Sequence, residues 1–127
     1  MSSTPSTEFF PRAFDRPFST AVRVGEVLYL SGQIGTLPSG DLAEGFEAQA
    51  RQTMDNIAAT LGEAGLGMRN VFKATIMMDD ISRWEEFNSV YLEYFPATRL
   101  PARSAFGSGG LAMGAHMEVE CLAYIND

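Results

Sequence analysis

The chain has 127 residues and a mass of 13.8 kDa, the size of one ordinary domain. Hydrophobic residues make up 46% and charged residues 20%, which argues against disorder, and the formal net charge of -7 with a single lysine, Lys73, makes nucleic acid a poor partner. One cysteine, Cys121, excludes an intrachain disulfide, and one histidine, His116, excludes a His-rich metal site within one subunit.

Residues 1–17 are rich in Ser, Thr and Pro and show no period, so they read as a mobile or loosely docked arm ahead of a single domain over 18–127. The opening MSSTPSTEFFPR lacks the apolar core of a signal peptide, and no apolar run approaches the ~18 residues of a membrane span. A cytoplasmic protein is expected. Residues 19–24 and 27–31 are short β-prone runs around Gly25-Glu26, a hairpin signal. Residues 32–45, with their glycines and Pro38, form a loop.

From Phe46 the period changes. Phe46, Ala50, Met54, Ile57, Leu61 and Ala64 make one apolar stripe of a helix that Gly65 and Gly67 end. Residues 71–78 are an apolar run of strand length. Ser82-x-x-Glu85 predicts a capping box for a second helix carrying Ile81, Trp84, Phe87, Tyr91, Tyr94 and Phe95, with Pro96 stopping it. After the PATRLP loop, residues 102–107 read as a short strand, 107–114 as a glycine-rich turn and 116–125 as the last strand.

The order ββ, α, β, α, ββ predicts an α+β domain of two layers, a β-sheet with two helices on one face. Along the last strand Met117, Val119, Cys121, Ala123 and Ile125 alternate with His116, Glu118, Glu120, Leu122 and Tyr124. The first set is expected to meet the helices. The second mixes carboxylates with large apolar groups and has no helix left to cover it, so a homo-oligomer that buries this face is expected.

Few residues suit chemistry. Arg103, in the PARS segment at a strand start, offers a planar fork of donors for a small carboxylate, although most single arginines simply pair with a surface acid. Glu118 and Glu120 lie one pleat apart on one face, where close like charges raise a pKa and prepare a general base; a solvated strand face is the plainer reading. Ser31-Gly32-Gln33 follows the second strand, where glycine lets backbone N–H groups approach a ligand. Phe18, Trp84 and Phe87 are pocket-lining candidates, though aromatic residues at such spacing belong more often to the core. Cys121, on the helix side, reads as an inert thiol.

Taken together and in order, PFSTAV, LYLSGQIG, AQARQTMDNIAATLGEAGL, VFKATIMMDDISRWEEFNSVYLEYFP, PARSAF and MEVECLAYI resemble the Rid family, the reactive intermediate deaminases formerly called YjgF. The resemblance covers about residues 17 to 125. It implies a homotrimer of chorismate-mutase-like fold, with three sheets lining a central barrel and ligand clefts between neighbouring subunits. It also implies hydrolysis of enamines and imines such as 2-aminoacrylate and 2-iminopropanoate to 2-oxo acids and ammonia, a 2-iminobutanoate/2-iminopropanoate deaminase-type reaction. The resemblance implies no metal or organic cofactor.

On that resemblance Arg103 binds the substrate carboxylate and Glu118 positions the hydrolytic water, so these two are the catalytic candidates. Gly32, with Ser31, lines the cleft, and Trp84 closes it from the adjacent subunit. Phe18 stands where many members have Tyr, which keeps a ring and loses a hydroxyl. Ala105 stands where many have Cys, and its backbone N–H remains available to a ligand. Three other functions remain open on this reading: a non-catalytic trimer binding a 2-oxo acid, an endoribonuclease, and, on fold alone, a chorismate mutase.

Overall fold

The structure is a computed structural model that describes residues 6–127. A six-stranded sheet in the order β1-β2-β3-β6-β4-β5 carries two helices on one face. The strands are β1 (Thr7–Phe10), β2 (Ala21–Val24), β3 (Val27–Leu30), β4 (Val71–Met78), β5 (Ala102–Gly107) and β6 (Met117–Tyr124). Among the described residues the β4–β5 pair is parallel and the other pairs are antiparallel. The helices are α1 (Phe46–Glu63) and α2 (Trp84–Tyr91).

The hairpin of β2 and β3 turns at Gly25, whose φ of 59° is one that residues with a β-carbon rarely adopt. In α1 the expected stripe is buried at Phe46, Ala50, Met54, Ile57 and Leu61. The helix closes in a Schellman arrangement: Leu66 N–H donates to the Leu61 carbonyl, Gly65 N–H to that of Gly62, and Gly65 takes a φ of 76°.

The reading of residues 1–17 as an arm needs correction where the chain is described. Thr7–Phe10 pairs with β2 as an edge strand. Residues 1–5 lie outside the described residues. Thr and Phe are strand formers, and the open edge of β2 presents unpaired backbone groups that TEFF satisfies. Gly25 N–H donates to the Ser6 carbonyl at one end, and the Thr20 hydroxyl donates to the Pro11 carbonyl at the other.

The second helix also differs. Ser82 does not cap it. The Asp80 carboxylate accepts from both the N–H and the hydroxyl of Ser82, which opens a 3-10 turn over Ile81–Arg83 before α2. Asp80 thus takes the capping position, and the turn it opens places Ser82 inside the first turn instead of ahead of the helix. At the far end Leu92–Tyr94 tightens into another 3-10 turn, so α2 proper is shorter than its apolar pattern.

The alternation along β6 divides the molecule. Met117, Val119, Cys121 and Ala123 are fully buried with Leu28, Ala74, Ile76 and Met78 beneath α1 and α2. On the other face Phe9, Tyr29, Phe106 and Tyr124 share the uncovered surface with Glu118, Glu120 and Leu122, and all four rings are exposed. Among the described residues no helix is long and apolar enough to cross a membrane.

Candidate active site

Arg103 is set by strand register. It pairs with Ala74 of β4, which pairs with Cys121 of β6, and both neighbours are buried under the helices. Arg103 therefore points to the helix side, at the open edge of the sheet. There it meets one face of α2, because Trp84, Asn88 and Tyr91 follow at helical spacings of four and three. Arg103 Nη1 donates to Asn88 Oδ1 at 2.6 Å. The guanidinium lies 4.9 Å from the Tyr91 ring centroid and 5.9 Å from that of Trp84. No carboxylate lies within ion-pair distance among the described residues, and Nε and Nη2 keep their donors free.

Beside the guanidinium is a cavity of about 220 Å³ lined by Asn88, Tyr91, Leu92, Leu100, Pro101 and Arg103. The Tyr91 hydroxyl is buried without a hydrogen-bond partner among the described residues. Burial pushes its pKa up to about 12 against the pull of Arg103, so it stays a neutral phenol. Ala105, two residues along β5, is half-buried on the same side and packs against the core.

Glu118 lies on the opposite face. It pairs with Met77, which pairs with Phe106. Its carboxylate rests over Gly32, where a β-carbon would come within 2.0 Å of Oε2. Gly32 is held there because Gln33 exchanges both backbone hydrogen bonds with Val119, 2.8 and 2.9 Å long. Partial burial, and then the neighbouring charge of Glu120, raise the Glu118 pKa above the ordinary carboxylate value. The Ser31 hydroxyl donates to the Ser19 carbonyl at 2.6 Å, which fixes the strand exit beside Phe18 and uses the proton. Phe18 itself is exposed, next to the segment that follows β1.

The expected residues thus fall into two separate groups. Gly32, Glu118, Ser31 and Phe18 belong to the uncovered side and the start of the domain. Arg103, Ala105 and Trp84 belong to the β5–α2 edge, where Trp84 stands beside the Arg103 of its own chain. Glu118 is two strands from β5 and Arg103 three residues further along it, which puts their α-carbons roughly 14 Å apart on opposite faces. One chain alone does not place a small substrate between them. Phe87 is core, fully buried under the sheet. Asn88 and Tyr91, the direct neighbours of Arg103, were not among the expected site residues; their spacing from Trp84 on one helix face was the available signal. Among the described residues no three His, Cys, Asp or Glu side chains converge as a metal ion requires.

The family model described as endoribonuclease L-PSP matches residues 11–125. A RutC family protein of Aquifex aeolicus is 42% identical over 109 residues, 84% of this chain and 87% of that protein. The 2-iminobutanoate/2-iminopropanoate deaminase of Bos taurus is 40% identical over 109 residues, 84% of this chain and 79% of that protein. Among solved structures, RidA from the Antarctic bacterium Psychrobacter sp. PAMC 21119 superposes with a TM-score of 0.85 at 36% identity, covering 89% of this chain and 92% of that one.

Proposed function

The chain belongs to the endoribonuclease L-PSP (YjgF/Rid) family, and on that premise we propose that it is a deaminase of small 2-imino acids and their enamine tautomers, working as a homotrimer. The observation that carries this reading is the state of Arg103: half-buried, stacked on Tyr91, steadied by a neutral amide and left without an acid. A structural arginine at such a place is normally satisfied by a carboxylate. This one keeps two donors for a carboxylate that arrives with the substrate.

The uncovered sheet face supports the assembly. Its exposed Phe9, Tyr29, Phe106 and Tyr124 are large apolar groups that association removes from water. Association is also what brings the Arg103 edge of one protomer to the Glu118 face of its neighbour, since within a chain they are divided by the sheet.

In the reaction the substrate carboxylate docks on Nε and Nη2 of Arg103, and a water held by Glu118 attacks the C=N carbon. Glu118 takes a proton from the water as the C–O bond forms, and the imine nitrogen gains one to give a carbinolamine. The C–N bond then breaks, ammonia leaves, and the 2-oxo acid remains. Water is consumed and no electrons are transferred. A 2-aminoacrylate enters by gaining a proton at its terminal carbon and losing one from nitrogen, which makes it the imine. The raised pKa of Glu118 suits a group that both accepts and returns a proton.

The test generates 2-iminopropanoate and 2-iminobutanoate in situ with an amino-acid oxidase and follows their loss. Wild type accelerates the loss, and Arg103→Ala abolishes the acceleration with the assembly intact. Turnover unchanged in Arg103→Ala rejects the reading. Tight 2-oxo acid binding that needs Arg103, without imine turnover, makes the protein a binding trimer instead.

A further inference from the structure

Of the eight arginines in the sequence, two are half-buried, stacked on an aromatic ring and outside ion-pair reach of any carboxylate among the described residues. One is Arg103. The other is Arg16, at the opposite end of the helix layer. Its guanidinium lies 5.3 Å from the Phe14 ring centroid, and Nη2 makes one long contact, 3.5 Å, to the hydroxyl of buried Thr36. The environment repeats the essentials found at Arg103: a ring beneath the cation, one neutral oxygen beside it, and donors left over.

Those donors border a cavity of about 460 Å³ between α1 and the segment that joins β1 to β2. It falls in the range of small-molecule sites. Phe14 frames the mouth. Its φ of 57° is unusual for a residue with a side chain, and its ring stands 3.6 Å from the place a β-carbon would take on Gly40. Leu37, Pro38 and Ala59 supply apolar wall. On the inner side Gln33 Nε2 reaches Thr60 Oγ1 at 3.4 Å, and Gln33 Oε1 has no partner among the described residues. The other arginine on the lining, Arg12, is 3.7 Å from Asp15.

We propose that this cavity is a second ligand site, for a small monocarboxylic acid with an aromatic or branched apolar body. A guanidinium with two free donors matches a carboxylate in geometry. One unpaired cation, with Glu63 also on the lining, suits a single negative charge and not the two of a phosphate ester. The Phe14 ring and the Leu37–Pro38 wall cover the apolar body, and Gln33 Oε1 accepts a hydrogen bond from a donor at its far end. None of the residues lining the Arg103 cavity contributes, so the site operates whether or not the imine reading is correct.

The test titrates 3-phenylpropanoate into wild type, Arg16→Gln, Ala59→Phe and Arg103→Gln by calorimetry, with amide shifts in NMR spectra to locate the probe. Ala59 is solvent-exposed on α1, so phenylalanine there fills the cavity while the charge and the fold are kept. The expected result is binding that survives Arg103→Gln, weakens at least ~10-fold in Arg16→Gln, and disappears in Ala59→Phe, with shifts at Phe14, Ala59 and Thr60. Binding equal to wild type in both Arg16→Gln and Ala59→Phe overturns the proposal. So does loss of all binding in Arg103→Gln, or no binding by wild type at millimolar probe.

Discussion

The carboxylate of Glu118 occupies the space that a side chain on Gly32 would need. A β-carbon at residue 32 would stand 2.0 Å from Oε2 and 2.9 Å from Cδ. The glycine is therefore a seat for the acid, and its φ is not in the left-handed region, so the requirement is for room and not for backbone freedom.

Gly32→Ala separates those two needs. The end of a Glu side chain can swing aside, so the variant folds with a loss of no more than about 1 kcal/mol. Its carboxylate is displaced by an ångström or more, and turnover of a 2-imino acid falls about 10- to 100-fold. Thermal melts and the oxidase-coupled assay check both halves. Full activity in this variant removes Glu118 from its proposed position.

Glu118→Gln tests the raised pKa through stability as well as rate. A carboxyl whose folded pKa lies above its unfolded value favours the folded state below the unfolded pKa. That advantage is lost as pH rises through the folded pKa. At neutral pH the ionised group opposes folding, so the neutral amide raises the melting temperature at pH 7 and does so less at pH 4. Turnover in the same variant falls about 10²-fold or more, while 2-oxo acid binding is retained. In wild type the acidic limb of kcat/KM lies above the ordinary carboxylate range.

Asn88 steadies the guanidinium without competing for its charge. Asn88→Ala loses a hydrogen bond to a charged group, of about 1.5–3 kcal/mol. KM is expected to rise about 10-fold or more with a smaller change in kcat, because the proposed carboxylate dock is disordered while Glu118, the proposed holder of the water, is untouched. Asn88→Asp places a permanent carboxylate on Arg103 and raises KM further. An effect confined to kcat in both variants contradicts this role.

Tyr91 presents its ring to Arg103 while its hydroxyl is buried and unpaired among the described residues. Tyr91→Phe keeps the ring and removes the unpaired group. It is expected to stabilise the fold by about 1 kcal/mol, since an unsatisfied buried hydroxyl costs ~1–3 kcal/mol. Denaturant melts with unchanged slope give the measurement, and a destabilised variant shows that the hydroxyl has a partner in the assembled protein.

Tyr29 sits opposite Leu122 on the uncovered face. Tyr29→Arg puts a charge at the centre of the surface proposed to associate. Light scattering after size exclusion is expected to report a monomer, and imine turnover is lost with it. A trimer that survives the substitution places the interface elsewhere.

Much of this protein was legible in the residue order because the signals were local. The stripe from Phe46 to Leu61 sets a helix through its 3.6-residue period, and the alternation of Met117, Val119, Cys121 and Ala123 sets a strand with one wet face. Ser82 misled because a capping residue is chosen by competition, and Asp80 stood two positions earlier with a stronger acceptor. Thr7–Phe10 was missed because a four-residue edge strand has too few residues for a pattern and is stabilised by the open edge of β2, a partner that exists only after folding.

The site divides in the same way. Arg103, Gly32 and Glu118 were marked by sequence, as residue types suited to an anion, a close approach and a proton. Which of them share a side of the sheet was decided by strand register. The β4–β5 pairing turns Arg103 toward α2, and the β4–β6 pairing turns Glu118 away from it. Side chains alternate with period two, so the face a residue takes depends on which partner it pairs with, and that information lies between strands distant in the chain.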